Sequence, residues 1–235
     1  MLQAEDNGGL TVFEGERGCG KAMMMDFLFE LAVGADVSIY RVCSSPENVN
    51  EPYAPWQQLL SHLLGCNVFV KASERESHVL ALVADNLPSS GGVDWVSMTP
   101  LLNPLLSLSL PESKYTKSLE LEADRFNGLK TIVVEILRWR MHSSPIGLCF
   151  ENLQFVDHAS LLLLQFVCKM LPALCVVCTA SCGFVAEWKL SPAFQQGAIS
   201  VVVVKLGPLS QAEIRQVCAC TPALSLGLAC SRLMC

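Results

Sequence analysis

The sequence predicts an α/β fold in which helices cover both faces of a five-stranded parallel sheet. Strand-like apolar runs occur at residues 10–13, 37–42, 146–150, 174–178 and 199–205. Helical patterns separate most of these runs, and strands that alternate with helices imply crossover connections and parallel pairing. The runs Cys175-Val176-Val177 and Val201-Val202-Val203-Val204 are continuously apolar. Such runs are typical of central strands buried on both faces, so we expect both to lie inside the sheet.

The first strand, turn and helix carry the most specific motif of the chain. Residues 10–13 predict a short buried strand, and residues 22–33, rich in Met, Phe and Leu, predict a helix. The segment between them matches the phosphate-binding pattern G-x-x-x-x-G-K-[ST] up to its last position. In that pattern glycines let backbone N–H groups turn towards phosphate, and the lysine reaches the β and γ oxygens. We therefore expect nucleotide contacts from Gly15, Gly18, Cys19, Gly20, Lys21 and Ala22.

The last position of the motif departs from the pattern. Ala22 stands where Ser or Thr would ligate Mg²⁺ through its hydroxyl. The site should therefore hold phosphate better than it holds metal. The alternative interpretation is a Gly-rich turn that happens to precede a lysine.

Residues 51–116 interrupt the alternation of strands and helices. Prolines and a Ser-Ser-Gly-Gly segment separate short apolar helices there, which indicates an elaborated crossover rather than a second domain. Residues 117–141 then predict a long amphipathic helix. Its apolar positions, which we expect to pack in the core, are Phe126, Leu129, Ile132, Val133, Ile136 and Leu137.

An acidic residue ends the third strand. P-loop NTPases place the carboxylate that orients Mg²⁺ at such a strand end, so Glu151 is the candidate metal ligand and catalytic residue. Asn152 follows it and cannot act as a general base. Asp157 and Ser160 are predicted as the N-cap and first-turn residues of a helix over residues 159–170.

Composition excludes several classes of protein. The chain has 235 residues, 51% hydrophobic and 16% charged, with a mean hydropathy of +0.41. Its longest apolar run, residues 159–180, is interrupted by Lys169 and Pro172, which leaves less than the roughly 20 residues of a membrane span. Residues 1–9 form a polar tail unlike a secretory signal, so we expect a cytoplasmic protein. A net charge of −6, without a Lys/Arg cluster, argues against nucleic acid as a partner.

The 12 cysteines lie mostly inside apolar runs, where a reduced thiol behaves as a small hydrophobe. Cys175, Cys178 and Cys182 have a spacing that could suggest a metal cluster. Residues three apart on a strand point to opposite faces, so the first two are not expected to share one zinc ion.

The order of these features resembles the AAA-like, STAND-class P-loop ATPase module that follows the paired cyclase domains of soluble (type 10) adenylyl cyclases and also occurs in bacterial signalling regulators. The resemblance covers residues 10–217, between tails at 1–9 and 218–235. Its most specific part, residues 151–160, contains Gln154-Phe155-Val156-Asp157; a second part runs from Leu206-Gly207-Pro208-Leu209 into a final helix at residues 210–218. The resemblance implies a five-stranded parallel ATPase core, ATP or ADP as ligand, and a regulatory or scaffolding role in cAMP-type signalling.

The departures from this family shape the expected function. Ala22 replaces the hydroxyl residue, Glu151-Asn152 replaces an acidic pair, the helical lid is missing, and nothing resembles the metal-binding aspartates of the cyclase domains. We therefore expect a fragment, isoform or divergent paralogue that binds nucleotide with weak or no hydrolysis.

Two other functions are open. One is a slow ATPase in which Glu151 alone holds Mg²⁺ and Thr179 or Ser181 senses the γ-phosphate. The other is a protein-interaction scaffold that binds no nucleotide. A missing lid would expose apolar surface, which predicts a protein partner or self-association.

Overall fold

The computed structural model describes residues 9–87, 93–197 and 199–208. The strands are β1 (Gly9–Gly15), β2 (Ser38–Cys43), β3 (Ile146–Glu151), β4 (Cys175–Ala180) and β5 (Ser200–Leu206). The helices are α1 (Lys21–Gly34), α2 (Ala54–Leu63), α3 (Ala72–Asn86), α4 (Trp95–Met98), α5 (Asn103–Leu106), α6 (Lys114–Ser118), α7 (Glu122–Ser143), α8 (His158–Met170), α9 (Phe184–Leu190) and α10 (Pro192–Gln196). Short 3₁₀ turns lie at Pro46–Asn48, Cys66–Val68, Thr99–Leu102 and Leu153–Phe155.

The strands form one five-stranded parallel sheet with the order β2-β3-β4-β1-β5. This confirms the predicted α/β class, and each strand overlaps the apolar run that predicted it. The central position predicted for the run at residues 201–204 is wrong, because within the described ranges β5 pairs with β1 alone and Val202 is 55% exposed. A continuous apolar run reflects β-branched packing but does not determine how many strands flank it.

One face of the sheet is fully covered. The register places Leu10, Leu148 and Val176 in one row of this face, and all three are almost completely buried. Helix α2 packs here through Trp56, whose ring centroid lies 5.2 Å from that of Phe150. Helices α7 and α8 complete the layer, and apolar side chains of residues 56–87 and 95–110 join the same core.

Helix α1 packs on the opposite face, so helices lie on both sides of the sheet as predicted. Its buried residue Met25 brings Sδ to 3.5 Å from Sγ of Cys149 on β3. Met23, Phe27 and Leu31 recur every four residues along the outer side of α1, and each is 55% exposed. These three side chains, which we name the α1 stripe, are left uncovered by the part of the chain that the structure describes.

The long helix predicted for residues 117–141 begins later than expected. Ser113 and Thr116 form a capping box that starts the separate helix α6, and α7 begins at Glu122 with acidic residues in its first turn. The predicted apolar stripe of α7 is otherwise confirmed, since Leu129, Ile132, Val133, Ile136 and Leu137 are buried.

None of the described helices is both long enough and apolar enough to cross a membrane. Gly9, predicted as the last residue of the tail at 1–9, is the first residue of β1. Residues 1–8, the final helix expected at 210–218 and the C-terminal tail lie outside the described residues.

Candidate functional site

The strand order determines where the loops after β1 and β4 lie. These strands are neighbours, and the chain passes from β1 to β2 at one edge and from β4 to β5 at the other, so the two connections run in opposite directions. In open parallel sheets, ligands bind outside the carboxyl ends of strands at such a point. The segment that matches the phosphate-binding pattern, which we name the 15–22 loop, begins here.

The backbone of the 15–22 loop requires its glycines. Gly18 and Gly20 have φ angles of 88° and 93°, in the left-handed region where a side chain is strained. Gly15 is needed for space: a Cβ there would lie 2.3 Å from Sγ of Cys19 and 3.0 Å from the carbonyl oxygen of Leu206. Within the described ranges, the N–H groups of Gly18 and Gly20 have no hydrogen-bond acceptor. The loop therefore presents unpaired donors on a tightly packed backbone.

Lys21 folds back over this loop. Its ammonium group donates to the carbonyl oxygens of Gly15 at 2.6 Å and Glu16 at 2.8 Å, and lies 3.9 Å from Sγ of Cys19. No side chain caps the N-terminus of α1, and no acidic residue stands in its first turn. The partial positive charge of this helix end is therefore uncompensated, and together with the lysine it can receive an anion.

Glu151 is engaged by a cation from a neighbouring strand. Arg41 on β2 donates from Nε to Oε1 of Glu151 and from Nη1 to Oδ1 of Asp26 on α1, the latter at 2.6 Å. Glu151 is 9% exposed. The pKa of the Arg41 guanidinium is raised, mainly by its hydrogen bond to Glu151 and further by Asp26. The carboxylate proposed as metal ligand thus already neutralises a permanent protein cation.

The residues around Glu151 are held in a hydrogen-bonded arrangement. Asn152 has a φ of 60°, donates from its backbone N–H to Oγ1 of Thr179 at 3.0 Å, and donates from Nδ2 to the carbonyl oxygen of Ser44 at 3.2 Å. Thr179 is buried. The backbone N–H of Ser181 donates to Oε1 of Gln154 at 3.1 Å. The Thr179 hydroxyl therefore accepts a backbone hydrogen bond, whereas for Ser181 it is the backbone N–H that is engaged.

Asp157 acts as a cap, as predicted. Its carboxylate accepts from the backbone N–H of Ser160 at 3.0 Å at the start of α8, and also from the backbone N–H of Tyr53 at 3.1 Å. Burial, with the nearby carboxylates of Asp157 and Glu122, raises the pKa of Tyr53.

A cavity of about 820 Å³ lies outside the candidate site. It is bounded by the starts of α2, α7 and α8, with Tyr53, Glu122, Phe126 and His158 in its walls. None of the residues 15–22 lines it, so we do not assign phosphate chemistry to it.

The cysteine spacing does not produce a shared site. Cys175 is exposed on the α1 face, whereas Cys178 is fully buried on the other face. Burial raises the pKa of Cys149 and of Cys168 to about 12, so these thiols stay protonated. Among the residues with described positions, no cluster of three or more His, Cys, Asp or Glu could hold a metal ion.

Three residues of the site were not found from the sequence. Arg41 lies between Glu151 and Asp26 as above, and the buried Glu14 accepts from the backbone N–H of Val185 at 2.7 Å, which ties β1 to the start of α9. A signal existed for two of them, since Arg41 and Glu14 are charged residues within otherwise apolar strands. Nothing local indicates their partners.

Neither the protein-family models nor the curated proteins with which the sequence was compared give a match.

Proposed function

We propose that this chain is a regulatory nucleotide-binding module of the P-loop type, which binds ATP or ADP through the 15–22 loop and turns it over weakly or not at all. On this proposal it is related to the AAA-like STAND modules of soluble adenylyl cyclases and acts in intracellular signalling.

The observation that carries the proposal is the combination of Lys21, the unpaired N–H groups of Gly18 and Gly20, and the uncapped start of α1. These groups are all hydrogen-bond donors, they come from one short segment, and they lie at the carboxyl end of a parallel sheet. Phosphate oxygens are acceptors that match such a set.

Mg²⁺, the metal that nucleotide-hydrolysing modules of this type use, does not fit the residues present. Ala22 offers no oxygen, and the carboxylate of Glu151 is paired with Arg41. Asn152 cannot accept the proton of an attacking water. Losing a positioned electrostatic group costs catalysis about 3 kcal/mol, so binding without turnover is the better-supported activity.

A second function is favoured by one observation. The α1 stripe exposes three large apolar side chains at helical spacing, the pattern of a surface that binds another protein. We propose that this surface joins the module to a partner or to a second copy, in the scaffolding role that the resemblance implies.

The test of nucleotide binding uses Cys19 as an internal reporter, because its thiol lies within the 15–22 loop beside Lys21. Alkylation of the purified chain is followed by mass spectrometry with and without ATP or ADP. At a nucleotide concentration ten times the dissociation constant, Cys19 should react about tenfold more slowly by mass action. Cys175, an exposed thiol at the amino end of β4 and therefore at the opposite edge of the sheet from the loop, serves as the control and should react at an unchanged rate. Equal alkylation of Cys19 at millimolar nucleotide would refute the proposal.

A further inference from the structure

We propose that Arg41 supplies the positive charge that a divalent cation would bring to this site, so that the chain binds nucleotide in metal-free form. This inference rests on the nucleotide-binding function proposed above and names Arg41 as a positioning residue for it.

The first step is the position of Arg41 relative to Glu151. Cys43 lies in register with Glu151 across the β2–β3 pair, and Thr179 follows in the same row on β4. Arg41 lies two residues before Cys43 and therefore on the same face of the sheet. This is the face on which α1 packs. Arg41 therefore contacts Glu151 on the same face of the sheet as α1, the helix that follows the 15–22 loop.

The second step is the contribution of α1. Asp26 lies one helical turn after Ala22, the position at which the motif requires a metal-ligating hydroxyl. Its Oδ1 lies 2.6 Å from Nη1 of Arg41. The guanidinium therefore lies between the carboxylate of Glu151, at the end of β3, and the carboxylate of Asp26, one turn beyond position 22. The same pair of carboxylates would also attract a divalent cation.

The third step is charge. Glu151 and Asp26 carry two negative charges, and Arg41 is the cation that the described residues place between them. Without Arg41, the end of β3 and the first turns of α1 would carry two uncompensated negative charges, which would repel phosphates bound at the start of α1. With Arg41 in place the repulsion is reduced without a metal, and the guanidinium cannot lose its proton at any physiological pH.

A purely structural ion pair would predict different behaviour. Its removal would lower the stability of the chain but would leave the metal dependence of nucleotide binding unchanged. Removal of a built-in cation should instead create a metal site and make nucleotide binding depend on metal.

The experiment compares the natural chain with Arg41→Gln, which removes the charge and keeps a hydrogen-bonding side chain. Arg138→Gln is the matched control, because Arg138 forms an ion pair with Glu135 on α7, away from the loop. Arg41→Lys keeps the positive charge and is the second variant. Circular dichroism establishes that each variant is folded.

The first measurement is Mn²⁺ binding without nucleotide, by water-proton relaxation. Arg41→Gln should bind Mn²⁺ at least about tenfold more tightly than the natural chain, which corresponds to about 1.4 kcal/mol. Adding Glu151→Gln should abolish that gain, while Arg138→Gln and Arg41→Lys should behave like the natural chain. Equal Mn²⁺ binding by the natural chain and folded Arg41→Gln would overturn the inference.

The second measurement is ATP binding by calorimetry in excess chelator and in excess Mg²⁺. The dissociation constant of the natural chain for ATP should differ by less than about threefold between the two conditions. Arg41→Gln should bind ATP about tenfold more tightly in Mg²⁺ than in chelator. A natural chain that binds ATP at least tenfold more tightly with Mg²⁺ would overturn the inference even if the variant fails to fold. Absence of ATP and ADP binding by the natural chain would instead refute the proposed function, and the Mn²⁺ measurement would still decide the role of Arg41.

Discussion

Replacing Lys21 by methionine tests the proposed phosphate site most directly. The substitution keeps the length of the side chain and removes the ammonium group that donates to the carbonyl oxygens of Gly15 and Glu16 at 2.6 and 2.8 Å. Glu16 is exposed, so water can replace the lysine at its carbonyl oxygen, whereas Gly15 is buried and its contact is replaced less well. We therefore expect the free energy of unfolding to fall by about 1 kcal/mol, the net value of an ordinary hydrogen bond.

The effect on nucleotide affinity should be larger. A hydrogen bond to a charged group contributes about 1.5–3 kcal/mol, and the lysine can make two to phosphate oxygens. Part of this gain is offset, because Lys21 must first release its two carbonyl contacts. A net loss of about 2–3 kcal/mol remains for Lys21→Met, or a dissociation constant about 30- to 150-fold higher.

Isothermal calorimetry with ATP and with ADP measures this change, and thermal unfolding measures the stability of the same samples. Lys169→Met is the matched control, because Lys169 is an exposed lysine near the end of α8. An unchanged dissociation constant for Lys21→Met, or an equal loss for Lys169→Met, would refute the argument.

Three further predictions follow from the loop and from α1. Gly15→Ala should lower the free energy of unfolding by about 1–3 kcal/mol, because the added Cβ overpacks against Cys19 and Leu206. Gly34→Ala should not lower it, because a Cβ there has no neighbouring atom within 4 Å, and thermal unfolding of both variants measures the difference. The natural chain should show no ATPase activity above background in a phosphate-release assay. The double variant Ala22→Ser with Asn152→Glu should gain measurable activity only when Arg41→Gln is added, because Glu151 is then free to hold Mg²⁺. Phe27→Gln should reduce self-association in light scattering; an unchanged particle size would exclude the α1 stripe as the contact.

The fold could be predicted because its signal is local. Each strand is a short run of apolar residues between turns, and alternation with helices is sufficient to indicate parallel pairing. Neighbour relations in the sheet depend on contacts between distant segments, which is why the central position of residues 201–204 was wrongly predicted. The start of α7 was also misplaced, because residues 117 and 118 belong to the separate helix α6, which the Ser113–Thr116 capping box begins, and α7 starts only at Glu122.

The two sides of the candidate site differ in the same way. The side proposed to bind phosphate, the 15–22 loop, is a single segment whose glycine spacing fixes its backbone, so the sequence identified the residues that bring the donors together. The cation side joins Asp26, Arg41 and Glu151, with Arg41 and Glu151 separated by 110 positions. No spacing rule connects residues so far apart, and only the pairing of β2 with β3 brings them together.

This division explains how one module could keep binding and lose turnover. On the proposed function, the donors of the 15–22 loop would bind phosphate whether or not a metal is present, since they depend on backbone geometry and on Lys21. Hydrolysis needs a metal ligand at position 22 and a free carboxylate at Glu151, and these are the positions that the chain has altered or paired with Arg41. A nucleotide that is bound but not hydrolysed leaves the site only by dissociation. The chain would then respond to nucleotide concentration by occupancy alone, which is the behaviour expected of a sensor rather than of a motor.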